Sequence, residues 1–349
     1  MRRFLFWVLS LFLSIPGIAG PNLLAGLAAP ECDGTWIRPV QGRPAIPMWG
    51  LVDGIRVGLF PLKGPRGLIR IYTPYLGRSA TDVMNFIAIE PIPAGSLTRG
   101  YSELEPSRLD QANGKRFWST DDSLAMHPGD IRFPARGVIS GEKGHQVMTF
   151  FIFSEAFDNG AKVYVRLRIR EDHPYQVELS TFSYEGSIPL AHCIVTATMG
   201  NHARLRELHL KNTIKRSGSL WPDYKGKDFT LHDFTPLEEM IHNDKGTAYF
   251  IAAPDEKYPV DAAYVPRTPI HWRYTGIRAT QYWYREEPSP DLKGLVNGRC
   301  CYWGCKLPIP GGVSYENFEI IEPFEEGATF VFGITPLSPE CFIKQINGL

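Results

Sequence analysis

The sequence has no surplus of positive charge, because 37 Lys and Arg residues are balanced by 37 Asp and Glu residues. Proteins that bind nucleic acid through its phosphates usually have an excess of Lys and Arg, so no nucleic-acid partner is expected. Long apolar runs are also missing after residue 20, where no segment reaches the roughly 18 apolar residues that a membrane-spanning helix needs. We therefore expect no membrane helix beyond that point.

The motifs of several common enzyme classes are absent as well. There is no G-x-S-x-G nucleophile elbow, no H-E-x-x-H zinc motif, no phosphate-binding loop, no dinucleotide fingerprint and no EF-hand loop. The cysteine run 300–305 lacks the paired spacing of a zinc site. We expect no metal and no cofactor. The turn 172–175 (DHPY) invites comparison with sugar mutarotases, in which a histidine acts on a β-sandwich, but one tetrapeptide identifies no family.

The first twenty residues predict export. Two arginines precede an apolar run over residues 4–15 (FLFWVLSLFLSI), and Pro16 and several small residues follow it. This run is too short to span a bilayer, so residues 1–20 are predicted to be a secretory signal peptide. The mature protein is then secreted or periplasmic and has no membrane contact after cleavage. An uncleaved N-terminal anchor is the alternative.

The cysteines agree with an oxidising compartment, in which we expect disulfide bonds to form. The sequence does not choose among the possible pairings, although Cys32 and Cys341 lie near the two ends of the mature chain and could join them. The cysteines are Cys32, Cys193, Cys300, Cys301, Cys305 and Cys341.

Short alternating or apolar segments, separated by turns, predict an all-β fold. The 33 glycines and 29 prolines are spread along the chain, as in a protein of many short strands. Strands are predicted at 54–60, 68–73, 83–89, 146–153, 162–170, 175–184, 191–197, 206–211, 248–252, 279–285 and 329–334. The best architecture is one large antiparallel β-sandwich over residues 21–349, either a jelly roll or an extended two-sheet sandwich. Two β domains divided near residue 150 are the alternative.

One or two short helices are expected within this sandwich. The segment 235–238 (TPLE) has the pattern of a capping box with proline at the first helical position, and it predicts a helix of about two turns. The segment 338–340 (SPE) predicts a second short helix near the C-terminus.

The strand 163–170 (VYVRLRIR) is the strongest candidate for ligand binding. Strand alternation places Arg166 and Arg168 together on the face opposite the apolar side chains. Such a row needs acidic partners or an anionic ligand, and the planar guanidinium suits the carboxylate of a uronic-acid polysaccharide. The alternative is pairing across the sheet with acidic residues such as Glu178 on the following strand.

Candidates for proton transfer are His209, His232 and Tyr282. His209 shares a polar strand face with Glu207 and Lys211, where it can act as a general base or simply be solvated. His232 and Tyr282 belong to two segments, 221–234 and 271–285, in which aromatic residues alternate with polar ones.

Aromatic rings flanked by polar side chains are typical of sugar-binding surfaces, although at least half of these rings are expected in the core. The candidates for substrate binding in these segments are Trp272, Arg273, Gln281 and Trp283. Glu90, Glu103 and Glu105 are further acidic positions, and paired carboxylates could serve glycoside hydrolysis.

Together these features predict an exported carbohydrate-active protein, with an enzyme favoured. It would be a polysaccharide lyase or glycoside hydrolase acting on an acidic glycan, so its partner would be a polysaccharide or oligosaccharide. In a lyase, arginines neutralise a uronate carboxylate while a histidine or tyrosine removes the neighbouring proton. The alternatives are a non-catalytic carbohydrate-binding protein or a structural cell-envelope protein of the same fold.

Overall fold

The protein is described here by a computed structural model, which covers residues 23–77, 79, 82–124, 126–256, 263–269, 273, 278–303 and 306–349. The predicted signal peptide lies outside these residues. In chain order the strands are β1 (Glu31–Asp33), β2 (Trp36–Arg38), β3 (Met48–Leu51), β4 (Arg56–Gly58), β5 (Ile69–Tyr72), β6 (Val83–Pro93), β7 (Phe117–Thr120), β8 (Val138–Glu142), β9 (His145–Ser154), β10 (Val163–Arg170), β11 (Gln176–Ser183), β12 (Leu190–Thr198), β13 (Leu205–His209), β14 (Ile214–Arg216), β15 (Asp233–Pro236), β16 (Ile241–His242), β17 (Ala248–Pro254), β18 (Thr280–Arg285), β19 (Lys293–Arg299), β20 (Ser314–Ile321) and β21 (Thr329–Thr335).

Two large antiparallel sheets confirm the predicted β-sandwich. Within the described residues the first sheet has ten strands, in the order β1-β2-β3-β4-β5-β6-β12-β20-β19-β15. The second has eleven strands in the same part of the chain, in the order β14-β13-β17-β18-β21-β11-β10-β9-β7, with β16 beside β17 and β8 beside β9. Strands from both halves of the sequence therefore contribute to each sheet.

The main core lies between the two sheets and follows the sequence pattern. In β10 the apolar residues Val163, Val165, Leu167 and Ile169 are buried, whereas the alternating polar residues are partly exposed. Almost all of β6 is buried on both faces, as expected for a central strand. Trp283 at the centre of the core donates its indole N–H to the carbonyl of Phe318 at 2.8 Å, so its one polar atom is satisfied.

The predicted helix after Thr235 is wrong, because strand pairing overrides the local capping preference. Thr235 lies within β15 and pairs with Gly294 of β19. Only a single 3₁₀ turn follows, over Leu237–Glu239, and no side chain caps it. The chain then re-enters a strand at β16.

The second predicted helix is confirmed. Helix α2 (Pro339–Ile346) begins after Ser338, whose hydroxyl accepts a hydrogen bond from the Cys341 amide at 3.3 Å. A short helix, α1 (Ser217–Leu220), was not predicted. In the described part of the chain, no helix has the length and apolar character needed to cross a membrane.

No disulfide bond joins the cysteines of the described residues in this structure, and the predicted disulfide bonds stay predictions. Cys193 and Cys301 are buried, and Cys32 and Cys341 are exposed. Cys305 lies outside the described residues. The proposed link between Cys32 and Cys341 stays a prediction.

Candidate active site

A buried cluster of ionisable side chains lies on the outer face of the first sheet. Alternation along β6 and β20 directs Ile89 and Phe318 into the core and Glu90 and Glu319 to the opposite face. The loop after β6 returns over this face and places Arg99 between the two carboxylates. The Arg99 guanidinium donates to both oxygens of Glu319 at 2.9 Å and also to Glu90.

We call the group Glu90, Arg99, Glu103, His232 and Glu319 the Arg99 cluster. The side chains of Glu90 and Glu319 are 3% and 0% exposed, so their charges are removed from water. Burial raises the pKa of Glu90 well above its ordinary value, and Glu103 and Glu319 add to the rise, whereas Arg99 opposes it. One guanidinium therefore faces three carboxyl groups, and the cluster favours the binding of protons or positive charge.

Glu103 is held beside β6 by its neighbour. The Ser102 hydroxyl donates to the carbonyl of Gly67 at 2.6 Å and accepts from the Ile89 amide at 2.9 Å, which ties the loop to the sheet. Burial raises the pKa of Glu103 to about 7. A carboxyl group with such a pKa can both donate and accept a proton near neutral pH.

His232, which immediately precedes β15, completes the cluster. Its Nε2 lies 3.9 Å from a carboxylate oxygen of Glu319 and 3.3 Å from the side-chain nitrogen of Asn297. The side-chain oxygen Oδ1 of Asn297 accepts a hydrogen bond from the backbone N–H of Asn317, which fixes the orientation of the Asn297 side chain. Burial lowers the pKa of His232. Glu319 opposes this decrease and Arg99 adds to it, and the net lowering favours a neutral imidazole at physiological pH.

Exposed apolar side chains border the cluster. The Tyr101 ring is 38% exposed and lies 5.8 Å from the Arg99 guanidinium carbon. The Phe234 ring is 57% exposed and lies 6.3 Å from the His232 ring. Leu97 and Leu104, in the loop after β6, are also exposed, and so are Phe229 and Leu231, which precede His232. Exposed rings next to buried polar groups offer a sugar both an apolar platform and hydrogen-bonding partners.

The predicted arginine row lies far from this cluster in the fold, on the second sheet. Arg168 pairs with Glu142 and, at 3.1 Å, with Glu178, which is the cross-strand pairing considered as the alternative. Arg166 donates to the Ser180 hydroxyl at 3.0 Å and lies over the Phe182 ring. The charge of Arg168 is thus compensated within the protein.

His209 is also on the second sheet, so the structure does not bring it to His232. It is buried, and its Nε2 lies 3.4 Å from a carboxylate oxygen of Glu207, the residue expected on the same strand face. Burial lowers its pKa, although Glu207 opposes this effect. Glu207 also pairs with Arg216 at 3.0 Å.

Tyr282 lies in a separate cavity of about 470 Å³ on the outer face of the second sheet, beneath helix α2. Its ring stacks on Phe342 of that helix, with ring centres 4.4 Å apart. Gln176 accepts from the Tyr282 hydroxyl at 3.1 Å and donates to the Tyr284 hydroxyl at 2.9 Å. We call the group Tyr175, Tyr249, Tyr282, Tyr284 and Phe342 the tyrosine pocket. The turn 172–175 forms one of its walls.

The other predicted binding residues do not gather at one site. Trp283 and Gln281 are fully buried, and Gln281 accepts from Asn85 at 2.7 Å. Arg273 donates to the Thr268 carbonyl at 3.1 Å. Trp272 lies outside the described residues. Their roles in binding stay predictions.

Sequence reasoning found part of the Arg99 cluster and missed its centre. His232 was predicted for proton transfer, and Glu90 and Glu103 were noted as acidic positions. Arg99 and Glu319 were missed. Arg99 lies in a loop without periodicity, and Glu319 lies in β20, a strand that the sequence analysis did not identify. The one signal was alternation in 317–321 (NFEII).

Comparisons with known proteins give little further guidance. No family model matches the chain, and no curated protein matches it. A solved structure from Salmonella typhimurium, described as a "putative mutarotase (YeaD)", aligns with 87% of this chain and 94% of its own. Its sequence identity is 8% and its TM-score is 0.23, so this likeness carries no argument.

Among the described residues, no group of three or more His, Cys, Asp or Glu side chains is placed to hold a metal ion.

Proposed function

We propose that the protein is an exported carbohydrate-active enzyme whose Arg99 cluster performs acid–base chemistry on a glycan. The observation that carries this proposal is the opposed shift of two pKa values in one cluster. Burial raises the pKa of Glu103 to about 7 and lowers that of His232. Near neutral pH, Glu103 can hold a proton for donation while His232 is free to accept one, which is the arrangement an acid–base pair requires.

The charge of the cluster favours glycoside hydrolysis over elimination. Hydrolysis of a glycosidic bond passes through a transition state in which the sugar ring becomes positively charged. Three carboxyl groups and a single cation, Arg99, make the cluster an environment that favours such a positive charge. A lyase instead needs uncompensated cations to neutralise a uronate. The cluster has none, because Arg99 is bound by two carboxylates.

In the proposed reaction Glu103 donates its proton to the oxygen of the leaving sugar. His232 accepts a proton from the attacking water, and Asn297 holds the imidazole in place. The exposed rings of Tyr101 and Phe234 provide the surfaces on which sugar rings stack. Positioning by these rings would contribute to turnover as well as to binding.

A second candidate function is glycan binding without catalysis, which the tyrosine pocket favours. Its cavity of about 470 Å³ has room for a small ligand, and its rings and hydroxyls are of the types that contact sugars. In this case the Arg99 cluster would serve only to hold the loop after β6 on the sheet.

A glycan panel with two matched variants tests the proposal. The release of reducing ends is measured for wild type, Glu103→Gln and Glu238→Gln, the last of which changes an exposed glutamate outside the cluster. We expect Glu103→Gln to lower turnover by about 100-fold or more, whereas Glu238→Gln keeps wild-type activity. Turnover by Glu103→Gln at the wild-type rate would refute the acid role.

Binding without turnover of any glycan would favour the second candidate. In that case Tyr284→Ala should abolish binding, and Glu103→Gln should leave it intact.

Export is tested separately by sequencing the N-terminus of the protein recovered outside the cytoplasm. We expect the mature chain to begin near residue 20, and an intact N-terminus in the exported protein would contradict a cleaved signal.

A further inference from the structure

A small cavity of about 240 Å³ lies beside β5 and β7, and its walls are rich in arginine. We propose that this cavity binds the carboxylate of a sugar acid. We call the group Phe60, Arg66, Arg70, Arg116 and Phe117 the basic pocket. The proposed function enters only in the choice of a sugar acid among organic carboxylates, because the anion site itself rests on charge and geometry alone.

The charges that line the cavity do not cancel. Arg66 is paired with Asp110, whose two oxygens each lie 2.9 Å from one guanidinium nitrogen. Lys115 is paired with Glu105 at 3.0 Å and with Asp158 at 3.2 Å. The remaining cations, Arg70 and Arg116, form no ion pair within the described part of the chain. Among the described residues, Arg70 and Arg116 are therefore the two cations in the cavity wall without a direct carboxylate partner, although Asp130 lies close enough to Arg116 for that guanidinium to help lower its pKa.

Arg70 is a buried cation held by backbone groups. It is 0% exposed and donates to the carbonyls of Leu68 at 2.6 Å and Gly64 at 3.0 Å. Burial lowers its pKa to about 10, so the guanidinium keeps its charge at neutral pH. Backbone carbonyls orient the guanidinium without neutralising its charge, and an anion in the cavity would gain from that charge.

Arg116 provides the clearest sign of a missing partner. Its Nε is buried and has no hydrogen-bond partner in the described residues. The backbone amide of Arg116 donates to a carboxylate oxygen of Glu155 at 2.7 Å, so Glu155 is engaged by the backbone. A buried guanidinium N–H without an acceptor is unfavourable, and the carboxylate of a ligand would supply one.

The wall of the cavity is held by close backbone contacts. At Gly67, with φ of +70°, a Cβ would lie 1.8 Å from the Ser102 carbonyl oxygen. At Gly114, with φ of +84°, a Cβ would lie 2.7 Å from the carbonyl carbon of Arg66. The loop after β6 therefore packs directly on residues 66–67. The arginines are presented from a fixed wall, so little ordering is needed when a ligand binds.

The shape of the neighbouring surface indicates a ring on the ligand. A second cavity of about 320 Å³ adjoins the basic pocket and shares Phe60 and Phe117 with it. Trp118 and Phe133 also line this second cavity. A hexuronic acid combines a carboxylate with a ring that has apolar C–H faces, and it would place the first in the basic pocket and the second against these aromatic residues.

Titration calorimetry with glucuronate, glucose, benzoate and inorganic phosphate tests the inference. We expect glucuronate to bind and glucose to bind at least about tenfold more weakly, because glucose lacks the charged acceptor. Arg116→Gln should weaken glucuronate binding by about tenfold, and Arg116→Lys should restore only part of the loss because lysine lacks the planar fork. Arg108→Gln is the matched control, since Arg108 lies in the same loop and its side chain is 55% exposed.

A variant that is expected to bind more tightly tests the inference independently, because a destabilised protein would not show a gain of affinity. Asp110 is the carboxylate that competes for Arg66, and its side chain is 46% exposed. Asp110→Asn should therefore tighten glucuronate binding by a few-fold while the protein stays folded. Glu103→Gln, which tests the proposed function, should leave glucuronate binding unchanged.

Four results would overturn the inference. The first is equal affinity for glucose and glucuronate in the folded wild-type protein. The second is a loss in Arg108→Gln as large as that in Arg116→Gln. The third is tighter binding of benzoate than of glucuronate, which would reject a sugar acid as the ligand class. The fourth is tighter binding of phosphate than of glucuronate, which would assign the pocket to a free inorganic anion.

Discussion

The guanidinium of Arg99 donates two hydrogen bonds of 2.9 Å to the carboxylate of Glu319, a residue 220 positions later in the sequence. The contact joins the loop after β6 to β20 across the outer face of the first sheet. The same guanidinium also donates to Glu90, so Arg99 pairs with two buried carboxyl groups. The proposed acid–base site and the attachment of this loop therefore depend on the same ion pairs.

Replacing Arg99 should destabilise the protein strongly. Arg99→Met leaves Glu90 and Glu319 buried without a cation, and breaking a buried pair in this way costs about 3–5 kcal/mol of unfolding free energy. Urea denaturation near neutral pH measures the loss. The control is Arg132→Met, because Arg132 forms a similar pair with Asp130 but its side chain is 64% exposed. That pair should be worth about 1 kcal/mol or less, and equal losses in the two variants would contradict the buried network.

The raised pKa of Glu103 predicts that its contribution to stability depends on pH. In the folded protein this pKa is about 7, above the ordinary value of a glutamate. Between those two values the folded state binds more protons than the unfolded state, so stability falls as pH rises. The favourable contribution is complete below the ordinary glutamate pKa and is lost as pH passes through about 7.

Glu103→Gln should remove this pH dependence. Near pH 8, at about the upper end of the transition, the variant should be more stable than wild type by about 1–2 kcal/mol, after allowance for solvent screening. The advantage should shrink as the pH is lowered toward the ordinary glutamate pKa. Thermal unfolding across this pH range measures it, with Glu238→Gln as the exposed control. An advantage that does not change with pH would show that Glu103 titrates normally.

The fold could be predicted from the sequence because strand alternation is a local signal. The strand 163–170 alternates as expected, and the apolar 83–89 run is the central strand β6. The capping box at Thr235 shows the limit of local signals. Its pattern favours a helix, but pairing with Gly294, a residue distant in sequence, decides the structure.

The candidate site could be predicted only in fragments, because it depends on contacts between distant residues. Glu90 and His232 each carry a recognisable chemistry, yet nothing local says that Arg99 lies between Glu90 and Glu319. Arg168 shows the opposite case. Its charge suggested a ligand, whereas the structure pairs it with Glu178, which lies directly opposite on the adjacent strand β11. Compensation of charge is a property of the folded structure, and composition alone does not reveal it.

Arg168 should therefore contribute to stability and not to glycan recognition. Arg168→Ala removes pairs with Glu142 and Glu178, and partly exposed pairs of this kind are worth about 1 kcal/mol together. We expect a small decrease in melting temperature that added salt reduces, and unchanged affinity for every glycan that binds wild type. A selective loss of affinity for acidic glycans, without a change in stability, would return this strand to the list of binding sites.

The close approach of β21 to Tyr282 gives a further prediction. A Cβ added at Gly333 would lie 2.1 Å from the Tyr282 ring carbon that bears the hydroxyl. Tyr282 is confined on its other side by Phe342 of α2 and by its hydrogen bond to Gln176. Gly333→Ala should therefore displace the ring and destabilise the protein by about 1–3 kcal/mol. Thermal or urea unfolding measures the cost.

Two comparisons decide whether the Tyr282 ring causes this effect. Gly141 is also a strand glycine, but an added Cβ there meets nothing within 4 Å, so Gly141→Ala should change stability by less than about 0.5 kcal/mol. Tyr282→Leu shortens the side chain that Gly333→Ala would strike, so the double variant should cost less than the sum of the two single variants. Additive costs would mean that Gly333→Ala acts through the backbone of β21, and the tyrosine pocket would then keep its shape in that variant.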